Sequence, residues 1–305
     1  MVMLRANFPD LDLADALPFI HHLIDDEYDR YESMVSYLFN VVSSDRAIEQ
    51  TTQITGFGLA TETPEGGSVV YDDYYQGYDT TYTHSKFTKG FKFTEELIDD
   101  NKWQLAQRAA RNIGESMAET REISAAQVFN RAFDGTYTGP DGVELCSLLH
   151  PLIGGGTEQN ELTAAADLSV TSLRQAINTM EDTVNHRGLK INLRPKYLVV
   201  PNELQWDADE LIMSQLRPDN AENAINAFRS AQTRLTPLVW QYLTDPDAWF
   251  MVCEASKHEM YWFDRKLPET SSEVDFDSGT AKTKMVSRWS RGFSNWPGIF
   301  GSPGA

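Results

Sequence analysis

Between Thr94 and Phe133 apolar residues recur at three- and four-residue steps: Ile98, Leu105, Ala106, Ala109, Ala110, Ile113, Met117, Ala125, Val128, Phe129, Ala132 and Phe133. That spacing lines one face of a helix. Thr94 can cap its start with Glu95 and Glu96 in the positive first turn, and Asp134-Gly135 is a natural stop. At 1.5 Å per residue, some forty residues would span about 60 Å, longer than a compact domain of this size needs. The pattern predicts a strut over 94–133 with Leu105, Ala109, Ile113 and Met117 facing the core. Gly114 is its weak point, at a cost of about 1 kcal/mol against Ala. Two helices broken near Gly114 or Glu119 are the alternative.

Other stretches read less uniformly. From Phe19 the positions Ile20, Leu23, Ile24, Tyr28, Tyr31, Met34, Val35 and Leu38 follow a helical period, with Asp25, Asp26, Asp29 and Glu32 on the opposite face. Residues 56–93 change character. Gly, Tyr and Thr dominate, and Tyr78, Thr80, Tyr82 and His84 alternate with polar neighbours at a strand period. The expectation is a long hairpin, its first strand from Ser68 to Gln76, turning at Gly77, with Lys86, Lys89 and Lys92 at its base. So few aliphatic residues cannot make a core, and an isolated two-stranded hairpin is marginal. Either it packs on its own domain or it reaches onto a neighbouring molecule, and the second is the favoured reading. Beyond the strut come a Gly-rich stretch (134–167), an amphipathic helix (168–185, capped by Thr171 or Ser172) and a strand between Pro195 and Pro201. A helix from Glu203, a polar loop at Arg217–Asn220 and a strand from Leu235 to Leu243 follow. The chain closes with short aromatic strands at 249–254 and 259–263 joined by a turn, then a hairpin around Asp277-Ser278-Gly279.

Charge changes the picture more than composition does. The chain has 305 residues and a net charge of −19, which argues against a basic face wrapped on nucleic acid but not against enclosing it without gripping it. Assembly of such subunits must overcome repulsion, so salt is expected to promote it. No apolar run is long enough to span a membrane, no secretory signal is visible, and two distant cysteines make no disulfide framework.

Candidate chemistry is thin. His21-His22 with Asp25-Asp26 could be drawn as a metal site, yet an acidic solvated helix face is the ordinary reading. Gly154-Gly155-Gly156 lacks the Lys-Ser/Thr of a phosphate loop. Cys146 with His150 lacks an orienting third group, so Cys146 reads as a small buried hydrophobe. Asp275, Asp277 and Gly279 open like a calcium loop but lack its terminal acid. No catalytic, metal or cofactor residue is assigned.

The order of parts, with Phe129-Asn130-Arg131-Ala132-Phe133, Asp141-Gly142-Val143-Glu144-Leu145-Cys146-Ser147, His150-Pro151, Gly154-Gly155, Asn160, Pro195 and Leu198-Val199-Val200-Pro201, resembles the major capsid proteins of tailed bacteriophages with the Hong Kong 97 phage fold. Within that group it is most similar to the Mu-type major head subunit. The Arg291-Gly292-Phe293 end and the Gly/Pro-rich tail also suit the family.

The resemblance implies an α+β capsid fold of five parts: an N-terminal arm (1–55), an extended hairpin loop (56–93), a peripheral domain with its spine helix (94–190), an axial domain (191–265), and return strands with a tail (266–305). It implies hexamers and pentamers closing into an icosahedral shell around double-stranded DNA, located in the virion and, during assembly, in the host cytoplasm. Scaffold, portal and decoration proteins are the further partners implied. The hairpin would contact a neighbouring subunit through Tyr71, Tyr74, Tyr75, Tyr78, Tyr82, Lys86 and Lys89. The chain departs from some relatives in leaving no room for a cleavable scaffolding segment before the arm. Two other readings stand beside this one: a nanocompartment shell protein of similar fold, and an acidic hydrolase using Asp72/Asp73 or Asp25/Asp26, carboxylates that sit in polar runs.

Overall fold

The computed structural model describes residues 13–94, 96–97, 102–215, 225–229 and 235–305. The loop expected at Arg217–Asn220, the first-turn position Glu95 and the helix position Ile98 lie outside them. The fold is α+β, built on two four-stranded sheets, the second of which stands between two hydrophobic cores.

Helix α1 (Leu13–Asp29) buries Ile20 and Ile24. The helical period continues past it in the sequence, but the chain turns after Arg30 and only a short α2 (Val35–Leu38) follows. The physical reason is an anchor: Ser33 Oγ (2.5 Å) and the Met34 amide (3.3 Å) both donate to the Glu122 carboxylate, which fixes that turn against the long helix.

That long helix, α3, runs from Trp103 to Asn130, 28 residues or about 42 Å. The helix start expected at Thr94 is present: residues 96–97 are helical, and the Leu97 amide donates to the Thr94 carbonyl at 3.2 Å. One continuous helix from there is corrected. Lys102 lies outside regular helix and supplies no side-chain cap, and the long helix begins at Trp103. At the other end Ala132 and Asp134 close turns on Phe129 and Arg131, so the helix stops before Phe133. No break occurs at Gly114. The Ile24 carbonyl of α1 presses on it so closely that a Cβ there would collide. The glycine marks a close helix crossing rather than a bend. Leu105 is also corrected: it is 54% exposed. The buried stripe runs through Ala106, Ala110, Ile113, Gly114, Met117 and Ala118, where Gly114 and the alanines are small enough to admit α1, and Leu105 sits one step round from it. Ala109 is half-buried.

Sheet one has the order β1-β10-β11-β4: β1 (Asn40–Ser43), β4 (Ser85–Phe93), β10 (Met260–Val274) and β11 (Ala281–Phe293). The last two form one long hairpin, so β10 absorbs what the sequence presented as separate strands and runs across the boundary drawn at residue 265. Its turn is held by the Asp275 amide donating to the Thr280 carbonyl (2.9 Å) and by Lys282 donating to the Asp275 carboxylate (2.9 Å). The inner face packs on α1 and α3. Trp262 and Trp289 stack at 5.6 Å, and Phe87 lies parallel on Trp289 at 4.1 Å.

Sheet two has the order β12-β9-β7-β8: β7 (Pro195–Val200), β8 (Thr236–Val239), β9 (Trp249–Cys253) and β12 (Ile299–Ser302). Every residue of β9 is buried. Val199, Phe250 and Val252 face the first core, while Leu198, Val200, Trp249, Met251 and Cys253 face a second core. Period-two alternation thus makes β7 and β9 a wall between the two. The second core is closed by α4 (Val170–Asp182) and α5 (Gln205–Met213). The cap of α4 is Ser169, not Thr171 or Ser172. Ser172 completes a reciprocal capping box instead.

Candidate functional site

The feature with no core of its own is a two-stranded ribbon: β2 (Ile48–Ile54) against β3 (Gln76–Thr83), joined by residues 55–75 without regular structure. This corrects the expected hairpin. The strand opposite β3 lies before the loop, in a polar stretch whose apolar residues, Ile48 and Ile54, are at its ends. Gly77 is inside β3 rather than at a turn, where a Cβ would crowd Gln53. The small sheet β5 (His150–Pro151) with β6 (Thr157–Glu158) lies elsewhere, under the C-terminal segment.

The ribbon is rooted firmly. Tyr82 is buried, and its hydroxyl and that of Thr51 both reach Ser294 Oγ at 2.6 Å. The Tyr82 ring packs on Phe263 at 5.0 Å. Tyr82, expected at an inter-subunit contact, therefore belongs to the subunit's own core. The alternation that puts Tyr78, Thr80 and Tyr82 on one face turns that face inward where the ribbon joins the frame. His84 links β3 to β4, with its two ring nitrogens 3.1 Å from Ser290 Oγ and Ser44 Oγ. Burial holds its pKa below the ordinary imidazole value.

Further out, the turn at 185–187 supports the ribbon. His186 meets Gln53 at 2.8 Å and the Tyr78 ring edge-on. Arg187 donates to the Asp73 carbonyl, lies 3.5 Å from the Asp72 carboxylate and covers the Tyr75 ring. Asp72 also accepts from the Gly58 amide at 2.7 Å, which lowers its pKa. Beyond these supports the loop is open. Tyr71 is 91% exposed, and Val69, Val70, Tyr74 and Tyr75 are exposed around it. Lys86 and Lys89 are exposed too, but on β4 in the frame, opposite Arg288 and Met285 of β11.

Two buried polar clusters hold the frame. Glu122 accepts from Ser33, Met34 and Trp240 Nε1 (3.2 Å), and burial raises its pKa. Next to it Arg121 grips Asp264 through two bonds of 2.9 and 3.0 Å, with Trp262 Nε1 on the same carboxylate. The second cluster gathers three residues that sequence spacing had set apart. His150 Nδ1 is 2.7 Å from Asp141, and its Nε2 is 3.0 Å from Asn160 Oδ1. The Asn160 amide nitrogen donates to Leu145 and Ile299 carbonyls, and the imidazole stacks on Trp296 at 4.6 Å. These bonds staple the Gly-rich stretch to the last strand. They leave no ring nitrogen facing Cys146, whose thiol is buried and pushed well above its ordinary pKa.

His22 pairs with Asp26, His21 with Ser272. Asp25 accepts from Thr270. Among the described residues no group of His, Cys, Asp and Glu is placed to hold a metal ion, and no helix is long and apolar enough to cross a membrane.

A family model described as phage capsid protein matches residues 77–300. Comparison with curated proteins finds no match. Among solved structures, the chain is similar to the procapsid of bacteriophage JBD30 (13% identity, TM-score 0.54, covering 98% of this chain and 76% of that one). It is also similar to the bacteriophage JBD30 capsid (15% identity, TM-score 0.54, covering 70% and 92%). A virus-like particle from Pyrococcus furiosus matches at 9% identity and TM-score 0.50, covering 93% and 97%. At such identities these likenesses establish the fold.

Proposed function

The chain belongs to the phage capsid protein family, as a structural subunit of a virion shell with the Hong Kong 97-type α+β fold, and from that premise we propose that it assembles with itself into hexamers and pentamers closing an icosahedral shell around double-stranded DNA. The observation that carries this reading is the ribbon. It is rooted by the Tyr82 and Thr51 hydroxyls yet ends in a loop whose Val69, Val70 and Tyr71 are left largely exposed by their own chain. Tyr and Val side chains left open at the end of a braced lever are interface anchors of low conformational entropy. Tyr71, Tyr74 and Tyr75 are the contact residues of this proposal, with Tyr78 at its margin and Lys86 and Lys89 on the frame.

The division into arm, ribbon, peripheral part and axial part belongs to the same proposal. The first core, with α3 along it, would be the peripheral plate, and the second core the axial lobe. A net charge of −19 suits an enclosure that holds packaged DNA without strong phosphate contacts. Scaffold, portal and decoration proteins are the partners this role calls for. The virion is its place, with the host cytoplasm as its place of assembly, and the role is structural rather than catalytic. A nanocompartment shell is the second reading, favoured only by the likeness to the Pyrococcus furiosus virus-like particle, and the contents of purified particles separate the two.

The test is removal of the loop alone. Deleting residues 66–86 would also take out buried Tyr82 and His84, so residues 57–74 are replaced by a short Gly/Ser linker. The expected product is a folded subunit, with wild-type circular dichroism and unfolding midpoint, that forms no particles. Particles that still form, or a subunit that no longer folds, overturn the assignment.

A further inference from the structure

We infer that the hollow between Arg131 and Arg291, where the end of α3 meets the end of β11, is a binding site for a small oxyanion of the phosphate class. The hollow lies within one subunit, so the site is independent of the shell reading.

The two cations arrive from different elements. Arg131 follows the last residue of α3 and is its C-cap. Arg291 is on β11, and the period that buries Met285, Ser287 and Trp289 turns it toward α3. The hollow they share measures about 290 Å³ and is lined also by Gln127, Tyr137, Thr138 and Phe293, with no Asp or Glu in its wall. At about 30 Å³ per water it has room for several waters, and hence for a tetrahedral oxyanion.

Each arginine has a structural use, and neither use answers its charge. Arg291 donates from Nε to the Ser124 carbonyl and from Nη2 to Gln127 Oε1 at 2.5 Å. Those bonds clamp β11 to α3, but they occupy only two of the N–H groups of the guanidinium fork. Arg131 lies over the Tyr137 ring at 4.0 Å, and a helix C-terminus suits a cation. Among the described residues its guanidinium makes no hydrogen bond, and neither arginine has a carboxylate within ion-pair distance. Asp134, on the turn after Arg131, is exposed and accepts from the Thr136 amide at 2.9 Å, a bond that lowers its pKa more than Arg131 does.

Arg121 shows how the same chain treats another cation held between α3 and the first sheet: it meets both oxygens of Asp264. One to two turns further along α3, Arg291 meets a carbonyl and a carboxamide instead. A half-buried charge with only neutral partners is costly, and a second cation beside it adds repulsion. Burial first, and then the charge of Arg131, hold the Arg291 pKa below the ordinary guanidinium value. An oxyanion relieves both, because each guanidinium presents parallel N–H groups to a pair of oxygens.

The turn beyond α3 makes the third wall. The Tyr137 amide bonds the Asp134 carbonyl at 2.9 Å, and the turn closes on the Phe293 ring at Gly139, where a Cβ would collide. A bound ion therefore ties three elements together: the end of α3, the turn at 137–139 and the end of β11. Next to Arg291, Gly292 sits against the Tyr82 ring, so the ion braces the place from which the ribbon springs. Charge favours a small occupant. A chain of net charge −19 repels a long polyanion along its whole length, whereas one small ion meets mainly the two local cations.

The probe is inorganic phosphate, added to the full chain and compared with sodium chloride at equal ionic strength. Phosphate is expected to raise the unfolding midpoint saturably, by about 2–5 °C beyond the chloride value. In Arg131→Gln that increment is lost, while the midpoint in chloride stays near the wild-type value. Exclusion of phosphate from the protein surface also stabilises folded chains, but that effect neither saturates nor depends on Arg131. An increment that persists in Arg131→Gln, or that grows without saturating, overturns the site. Labelling of native wild-type chain with phenylglyoxal, read by mass spectrometry, needs no variant. Phosphate at a few times its dissociation constant is expected to slow labelling of Arg131 at least about threefold and to leave exposed Arg111 unaffected. Equal slowing at both overturns the site. So does slowing by a DNA duplex and not by phosphate, which would make the hollow a nucleic-acid surface. Slowing that needs assembly and no phosphate gives the hollow to a carboxylate of another copy and likewise overturns it.

Discussion

Tyr82 Oη lies 2.6 Å from Ser294 Oγ inside the subunit, and Thr51 Oγ1 reaches the same hydroxyl at 2.6 Å from the facing strand. One serine thus pins both strands of the ribbon to the end of β11. The root is part of the folded core, while the loop some eight residues further out is not. That division separates what folds this subunit from what joins it to others.

Removing the pin is expected to lower stability. Tyr82→Phe loses a buried hydrogen-bonding hydroxyl and Ser294→Ala removes the partner that Tyr82 and Thr51 share, each at a cost of about 1 kcal/mol. Urea unfolding of the subunit measures both. A Ser294→Ala variant as stable as wild type would show that the root is not held this way.

Gly114→Ala distinguishes a helix crossing from a bend. Helix propensity alone favours Ala by about 1 kcal/mol. The contact with the Ile24 carbonyl makes the added methyl an overpacking, expected to cost about 1–3 kcal/mol net. A stabilised variant would mean that α1 does not approach α3 there.

Acid sensitivity is expected from His258. Its Nδ1 accepts from the Met260 amide, its Nε2 is buried without a partner, and burial depresses its pKa from 6.5 to about 4. The folded state then binds fewer protons than the unfolded one between those values, so stability rises with pH from about 4 to 6.5 and is lost as pH falls. The full shift corresponds to about 3 kcal/mol at most. Buried carboxyls such as Glu122 and Glu259, whose pKa values are raised, act with the opposite sign as pH rises through the carboxylate range, which overlaps this window. The difference between wild type and His258→Gln isolates the histidine. Unfolding midpoints across this range should show a shallower slope in the variant, and parallel slopes would refute the assignment.

Thiol chemistry offers a separate check. Cys146 and Cys253 are buried, and burial pushes the Cys253 thiol up to about 12. Both are expected to resist a thiol reagent in the native subunit and to react fully in denaturant. Fast labelling of either in the native state would contradict the two-core packing.

The centre of α3, the strand at Pro195 and the Asp277-Ser278-Gly279 turn were legible because periodicity and turn chemistry act locally. The ends of α3 were not. Thr94-Glu95-Glu96 does open a helical turn at 96–97, yet the long helix begins separately at Trp103, without a side-chain cap and with Trp103 packed on Phe19 of α1. Leu105 was misplaced because its neighbours Ala106 and Ala110, small enough to admit α1, outrank a larger side chain at a close crossing. The ribbon was mispaired for a related reason. Thr and Tyr alternation identifies a strand but not its partner, and β2 hides in Glu49-Gln50-Thr51-Thr52 with little hydrophobic signal.

Electron microscopy of the purified full-length chain across salt and concentration tests the central claim most directly. Closed shells, tubes or free rings of six and five subunits are expected, appearing more readily as salt screens the net charge of −19. Monomers or small closed oligomers under every condition would contradict it.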